Sequence, residues 1–410
     1  MTNPPRLPFL NSGVRRVLSF SAGAILAMFS LTPAHADPAP TLLWERFPGS
    51  VDYDFGEAVA TDTTGNILLG GQTWGSIGRR DNHGADAFVI KFSPHGGILW
   101  RRQPGSALSE RLRGIATDPA DNVVAVGETG GAITGTSHGR TDGFVVKYAA
   151  DGAVRWKRQF GTKFDDFAFA VAADTAGNII VVGQVDVRGP CCETGDAFVI
   201  KYAPDGAEQW RRSFDLSGLD EATGVATDDA GDIFVAGNTA SSEGPDYGAE
   251  DTFLARLSPD GTVRWIEQQE TASDDGAMGV AVDGMGRIFV VGSQHLATYP
   301  QGLVAAFSGD ATELWRRAFG SGLSYDGAYS VAIDAGGHVL LSGSEAGKSI
   351  VASYSREGAL RWKILPERFD RGGYAFLTAD GTGHIAVVGT ADVRVAAGHW
   401  NAHVARYEVD

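Results

Sequence analysis

Six carboxylates occupy one recurring position of the chain, each eight residues before an aspartate that recurs with it: Asp54, Glu110, Asp166, Asp220, Asp275 and Asp326. Converging carboxylate oxygens can hold calcium or another hard cation, which could serve a metal-dependent enzyme. Alternatively, each carboxylate caps its own turn by accepting backbone N–H bonds. Recurrence favours capping, because a single active site should appear once rather than in nearly every repeat.

Two tryptophans outside the regular series of this chain indicate a binding site instead. Trp74 and Trp400 stand in long loop segments with polar neighbours, and the candidate ligand-binding residues are Trp74, Arg79, Arg80, His83, His399 and Trp400. Aromatic rings flanked by polar groups suit recognition of a sugar or a peptide. The alternative is that each tryptophan packs its own loop. No Ser/His/Asp spacing rises above chance, so the sequence favours binding over catalysis.

The remaining tryptophans open the same short strand seven times along the chain. They are Trp44, Trp100, Trp156, Trp210, Trp265, Trp315 and Trp362, separated by 56, 56, 54, 55, 50 and 47 residues. Between successive tryptophans lie three further runs of β-forming residues, such as 114–118, 122–127 and 142–148, with turn residues between them. This pattern predicts repeated four-stranded antiparallel meanders.

The second strand of each unit, such as Ile179–Val182, is apolar throughout and therefore needs cover on both faces. Stacked propeller blades supply that cover. The last unit ends at Asp410 without a tryptophan strand, and the missing strand stands at the other end, in Leu42–Arg46. We therefore predict an all-β fold: residues 37–410 form a single seven-bladed β-propeller of four-stranded antiparallel blades, with the last blade closed by the N-terminal strand.

The repeat also carries a family resemblance. Its pattern Trp-x-Arg-x-Phe-Gly, then Asp-x-x-Gly-Asn-Ile, then Asp-Ala-Phe-Val-x-Lys-Tyr-x-x-Asp-Gly is fullest between Trp156 and Trp210. It resembles the bacterial SBBP β-propeller repeat family over nearly the whole mature chain, and more loosely the NHL propellers. Gln301, Lys348 and Asn401 depart from it where earlier repeats have aspartate. The resemblance implies an exported propeller and transfers no catalytic residue.

In such a meander, the loops after second strands and the links between blades share one face, here named the loop face. Loop length varies mainly there, from Gln72–Ala85 in the first unit to Ser344–Gly347 in the sixth. Variable loops on a rigid scaffold are where binding usually resides. We therefore expect a monomeric scaffold that recognises a glycan, peptide or protein through its loop face. The alternative is a lactonase- or lyase-like enzyme with a carboxylate-held divalent cation, for which calcium is the candidate, at the channel mouth.

Residues 1–36 have the features of a secretory signal peptide: basic Arg15 and Arg16, the apolar run Val17–Leu31 and the small-x-small site Ala34-His35-Ala36. We expect cleavage before Asp37 and a periplasmic or extracellular protein. The leader holds three arginines and no acidic residue, so its loss takes the net charge from −16 to −19. That charge opposes binding to nucleic acid. The chain has no second long apolar stretch, so we expect no membrane insertion after cleavage. The only cysteines are the adjacent Cys191 and Cys192, whose redox state stays open.

Overall fold

The chain was analysed as a computed structural model. It describes residues 15–17, 37–77, 84–188, 194–216, 218–240, 250–269, 275–295, 299–322, 324–366, 368, 375–391 and 400–409. These residues form seven sheets. Six of them contain four consecutive antiparallel strands of a meander, and the seventh contains three such strands and the N-terminal strand. Within the described ranges, no helix has the length and apolar character needed to cross a membrane.

The strands follow one another in the predicted order. They begin with β1 (Arg15–Val17) and β2 (Thr41–Arg46). Blade one contains β3 (Asp54–Thr61), β4 (Ile67–Thr73), β5 (Asp86–Phe92) and β6 (Ile98–Arg102). Blade two contains β7 (Glu110–Thr117), β8 (Val123–Thr129), β9 (Asp142–Tyr148) and β10 (Val154–Phe160). Blade three contains β11 (Asp165–Ala173), β12 (Ile179–Val187), β13 (Asp196–Tyr202) and β14 (Glu208–Phe214).

The second half repeats the same plan. Blade four contains β15 (Leu219–Thr227), β16 (Ile233–Ala240), β17 (Glu250–Leu257) and β18 (Val263–Gln269). Blade five contains β19 (Asp275–Val282), β20 (Ile288–Gln294), β21 (Gln301–Phe307) and β22 (Glu313–Phe319). Blade six contains β23 (Gly327–Ile333), β24 (Val339–Glu345), β25 (Lys348–Tyr354) and β26 (Leu360–Ile364). Blade seven contains β27 (Phe376–Ala379), β28 (His384–Ala391) and β29 (Asn401–Glu408), completed by β2.

The blades form a closed ring, which confirms the predicted seven-bladed propeller. The first strands of neighbouring blades contact one another all the way round, from β3 through β27 and back to β3, and so line the central channel. β2 pairs antiparallel with β29, from Thr41 opposite Glu408 to Arg46 opposite Val404. The N-terminal strand therefore closes the last blade as predicted. The core lies between blades, where second strands such as β12 have their apolar residues buried.

An outer clamp joins each tryptophan strand to the next blade. The indole Nε1 of Trp156 donates to the Pro204 carbonyl at 3.0 Å, and Arg158 Nε donates to the Gly206 carbonyl at 2.8 Å. The Arg158 guanidinium stacks 5.5 Å from the Trp156 ring centroid. The same stacking recurs for the pairs Arg46 on Trp44, Arg102 on Trp100, Arg212 on Trp210 and Arg317 on Trp315. These arginines thus join neighbouring blades by stacking and by bonds to backbone carbonyls.

Glycine is required at the tip of the clamped hairpin. Gly206 has φ +85°, and a Cβ there would lie 2.7 Å from Cδ2 of Trp156. The left-handed backbone and the close indole ring both disfavour any residue with a Cβ, whereas glycine adopts this conformation at little cost. The Asp-Gly turns of the sequence are therefore also packing sites for the preceding blade's tryptophan.

Buried ion pairs form a second repeated device inside the blades. Lys147 Nζ lies 2.7 Å from Asp118 Oδ2, and both side chains are nearly inaccessible to water. Although burial opposes ionisation, the hydrogen bonds from Lys147 and Asn122 hold the pKa of Asp118 below its usual value. The equivalent pairs are Lys91 with Asp62, Lys201 with Asp174 and, in blade seven, Arg406 with Asp380. Each pair ties the end of a first strand to the third strand of its blade.

Blade four differs from the prediction of four strands, because β1 adds a fifth. Arg15–Val17 pairs in parallel with residues 266–268 of the outer strand β18. Two consecutive basic residues follow the tryptophan in blades one, two, three and five, whereas Ile266 and Glu267 follow Trp265. Basic side chains protect sheet edges from pairing, and this edge lacks them. The added strand lies within the predicted signal peptide.

Candidate functional site

The two tryptophans outside the series meet at the mouth of the channel. Trp74 follows β4 and Trp400 precedes β29, and both pack edge-on against Phe55, with ring centroids 5.5 Å and 5.6 Å away. Backbone bonds fix their loops: the Trp74 N–H donates to the Tyr53 carbonyl, and the Asp54 N–H donates to the Trp400 carbonyl, both at 2.9 Å. Each indole remains 45% exposed. We name Phe55, Trp74 and Trp400 the mouth cluster.

The other predicted loop-face residues cannot be placed. Arg79, Arg80, His83 and His399 lie outside the described residues, as do Cys191 and Cys192. The structure thus brings together two of the six predicted ligand-binding residues, and it adds Phe55, which the sequence did not single out.

Beneath the mouth cluster, the channel forms a cavity of about 760 Å³. One side is aromatic, with Phe55 from blade one, Tyr329 from blade six, and Phe376 and Trp400 from blade seven. The other side is charged, with Glu57 from blade one, Arg111 and Arg113 from blade two, and Glu221 from blade four, and it also contains Phe169 from blade three. A volume of this size is typical of small-molecule sites, which range from about 300 to 1,000 Å³.

The first strands present these side chains through their alternation. In β3, every second residue from Asp54 is buried in the blade, and Phe55 and Glu57 between them are half-buried and line the channel. In blades one to six, the channel-lining side chains of first strands stand one or three residues after the recurring carboxylate. We name the two rows the upper and lower tiers. The upper tier contains Phe55, Arg111 and Glu221, and the lower tier contains Glu57, Arg113, Phe169, Thr223, Met278 and Tyr329. These positions differ from blade to blade, whereas the blade-facing positions repeat.

The charged side of the cavity is internally paired. Arg111 Nε lies 2.7 Å from Glu57 Oε2, and Arg113 makes two bonds of 3.1 Å to the carboxylate of Glu128. The Arg113 guanidinium also lies 5.7 Å from the ring centroid of Phe169. Burial raises the pKa of Glu57, while the hydrogen bond and charge of Arg111 oppose that shift. The two guanidinium groups are therefore oriented and neutralised before any ligand arrives.

The recurring carboxylates face away from this cavity. All six are between 0% and 7% exposed, and each accepts a backbone N–H. Asp166, for example, accepts from the N–H of Thr162 at 2.6 Å and of Asp186 at 2.9 Å. Burial, the largest influence, raises its pKa to about 6 despite these bonds. These are the contacts of turn caps, which fasten the link between blades to the end of the second strand.

A bound cation would need several ligands within reach of one point. In the described ranges, no three His, Cys, Asp or Glu side chains are grouped closely enough to hold a metal ion. The contacts of Asp54, Glu110, Asp166, Asp220, Asp275 and Asp326 thus agree with the capping alternative. The calcium site and the metal-dependent enzyme stay predictions that these contacts do not support.

Sequence reasoning missed the two channel tiers. The available signal was the contrast within each first strand between repeated small residues, such as Ala168, Ala222 and Ala277, and unlike residues at alternate positions. That contrast is obscured by a register shift in the same strands, between Gly56 and Ala58 in blade one. The shift interrupts the period of two on which a strand assignment rests.

Comparisons with known proteins agree with the architecture. No family model matches the chain. Over 225 residues it is 23% identical to an uncharacterised WD repeat-containing protein of Acanthamoeba polyphaga mimivirus, a match covering 41% of this chain and 16% of the relative. Over 216 residues it is 26% identical to the regulatory protein FlaEY of Caulobacter vibrioides, covering 44% of this chain and 22% of the relative. The matches therefore span less than a quarter of either relative.

Solved structures of the same shape include the WD40 domain of Neurospora crassa Pan2. It has a TM-score of 0.54 at 11% identity, covering 90% of this chain and 96% of that one. A protein of unknown function from Dyadobacter fermentans has a TM-score of 0.50 at 10% identity, covering 91% of this chain and 100% of the other. At such identities the likeness concerns the fold alone, and the fold is that of a β-propeller.

Proposed function

We propose that this protein is an exported binding scaffold, a non-catalytic propeller that takes its ligand through the loop face into the central channel. The observation that carries the proposal is the convergence of Phe55, Trp74 and Trp400 at the channel mouth. Two half-exposed indoles held by backbone bonds on a rigid ring leave apolar area in contact with water, and bound ligand would cover it. A WD repeat-containing relative is in keeping with an interaction role.

The polar groups of the channel support binding rather than catalysis. Glu57 and Glu128 are each engaged by an arginine, and Glu221 accepts a bond of 2.8 Å from Asn238 Nδ2. Among the described residues lining the cavity there is no serine, histidine or cysteine. Fixed donors and acceptors without a nucleophile next to a base suit recognition of an unchanged ligand.

Export is the cellular part of the proposal, and its support is the leader-like character of residues 1–36. N-terminal sequencing of the protein recovered from a bacterial host should begin at Asp37 in the fraction outside the cytoplasm. Recovery of a chain that still begins at Met1 in the cytoplasm would refute export without touching the binding proposal.

The binding proposal is tested with the purified protein and a panel of defined tetrapeptides and neutral and acidic tetrasaccharides. We expect at least one probe to raise the melting temperature, and to lose that effect in both Trp74→Ala and Trp400→Ala. The matched control is Tyr325→Ala, because Tyr325 is also exposed on the loop face, at 73%, and does not line the cavity. Absence of any stabilising probe, or stabilisation that survives both tryptophan changes, refutes the proposal.

A further inference from the structure

We infer that the channel ligand is a neutral oligosaccharide. The inference rests on the proposed function, whose site it specifies further. Its basis is the two-sided cavity below the mouth cluster, with aromatic rings on the side of blades six, seven and one and paired charges on the side of blades one and two.

The aromatic side suits the apolar faces of sugar rings. Phe55, Phe376 and Trp400 come from the adjacent blades seven and one, and Tyr329 extends the side into blade six. A pyranose ring has C–H groups on one face and hydroxyl groups around its edge. It can therefore pack on an aromatic ring while its hydroxyls reach polar groups across the cavity.

The charged side of the cavity can form hydrogen bonds with a ligand that carries no net charge. The Arg111 and Arg113 guanidinium groups are each neutralised by a carboxylate, at 2.7 Å and 3.1 Å. Each ion pair places planar donors beside planar acceptors, and a hydroxyl group can donate and accept at once. A ligand rich in hydroxyls therefore matches both members of a pair, whereas a carboxylate or phosphate would compete with Glu57 or Glu128 for its arginine.

The overall electrostatics also disfavour anions. Glu221 adds a third carboxylate against two guanidinium groups, and the whole chain carries a net charge of −16. A cationic side chain is disfavoured because Glu57 and Glu128 are already paired with Arg111 and Arg113, which it would have to displace. Peptide grooves usually provide a deep apolar pocket for an anchor side chain. Here the lower tier interleaves Glu57, Arg113 and Phe169, so neutral polar surface is the better complement.

Isothermal titration calorimetry with cello-, malto-, xylo-, manno- and chitotetraose tests the inference. We expect at least one to bind, and Trp400→Ala, Arg113→Lys and Tyr329→Ala each to weaken it about tenfold or more, while Tyr325→Ala stays within about twofold. Arg113→Lys keeps the charge and removes the planar donor set. Melting curves identify any variant that has lost its fold, and the inference is then judged on the two other variants.

Salt and the other probes separate the possible failures. A neutral ligand should change its dissociation constant less than about twofold between 50 and 500 mM NaCl, since screening acts on charge. If tetragalacturonate binds more tightly than every neutral sugar, with strong salt dependence, the inference is refuted. If only tetrapeptides bind, with the same sensitivity to Trp400→Ala, the sugar inference is refuted and the binding scaffold stands. If no probe of any class binds, both are refuted.

Discussion

His403 should make the protein lose stability in mild acid, and His403→Phe should remove that loss. The imidazole lies in β29, is 1% exposed and stacks on Phe47 with centroids 4.4 Å apart. Burial, helped by the positive charge of Arg368, lowers the pKa of His403 to about 3. Glu45 lies 3.2 Å from Nε2, but it also pairs with Arg368 at 3.3 Å and is partly exposed, so burial prevails. The equivalent position holds phenylalanine in blades one to four: Phe88, Phe144, Phe198 and Phe253.

The sign and size of the effect follow from proton linkage. An unfolded histidine has a pKa near 6.5, so between that pH and about 3 the unfolded chain binds a proton that the folded protein does not. Stability is therefore complete above the unfolded pKa and declines as the pH falls toward the folded one. At pH 5, which is 1.5 pH units below the unfolded value, the loss is about 2 kcal/mol.

Urea unfolding at pH 7 and pH 5 measures this directly. The free energy of unfolding should fall between the two pH values by about 2 kcal/mol more in the native protein than in His403→Phe. The control is His95→Phe, which changes an exposed histidine and should leave the difference unaltered. Equal acid losses in the native protein and His403→Phe would show that His403 takes up its proton in the folded protein as readily as in the unfolded chain, and would refute the burial argument.

Further predictions concern the clamps, caps and closure. Trp156→Ala should lower the free energy of unfolding by about 3 to 5 kcal/mol in urea, because its ring is 9% exposed. Gly206→Ala should cost about 1 to 3 kcal/mol through its positive φ and the nearby indole. Asp166→Ala should lower the melting temperature equally with calcium and with a chelator; a calcium-dependent rise that it abolishes would instead establish the metal site. Deleting residues 41–46 should abolish cooperative unfolding, since the edge of β29 is then exposed.

The fold was predictable because repeated residues mark both the number of blades and the closure of the ring. Seven tryptophans mark seven outer strands, and the last unit lacks the strand that Leu42–Arg46 supplies. Because the residues repeat, the interfaces between blades are packed in the same way, so the contact of Trp156 with Gly206 predicts the contacts of the other clamped pairs. The fifth strand of blade four was not predictable from repetition, because it follows from the departure of Ile266 and Glu267.

The candidate site was only partly predictable, because its residues do not follow the repeat. Trp74 and Trp400 could be singled out as exceptions to a series, but their meeting on Phe55 depends on the closure of blade seven against blade one. The channel pairs Glu57 with Arg111 and Arg113 with Glu128 arise from positions that never repeat, and no spacing in the sequence connects them. The SBBP resemblance, export and the monomeric state stay predictions.

Ring closure also determines when folding of the propeller can be completed. Among the strands of the propeller, β2 is synthesised before all seven first strands and its partner β29 after them, since Thr41 pairs with Glu408. At translation rates of roughly 5 to 20 residues per second, the N-terminal strand waits on the order of 20 to 70 seconds for that partner. Throughout that interval it is a free strand beside other growing edges, open to mispairing with a neighbouring nascent chain. The ring therefore has no closed edge at blade seven until the C-terminal strand is present to pair with β2.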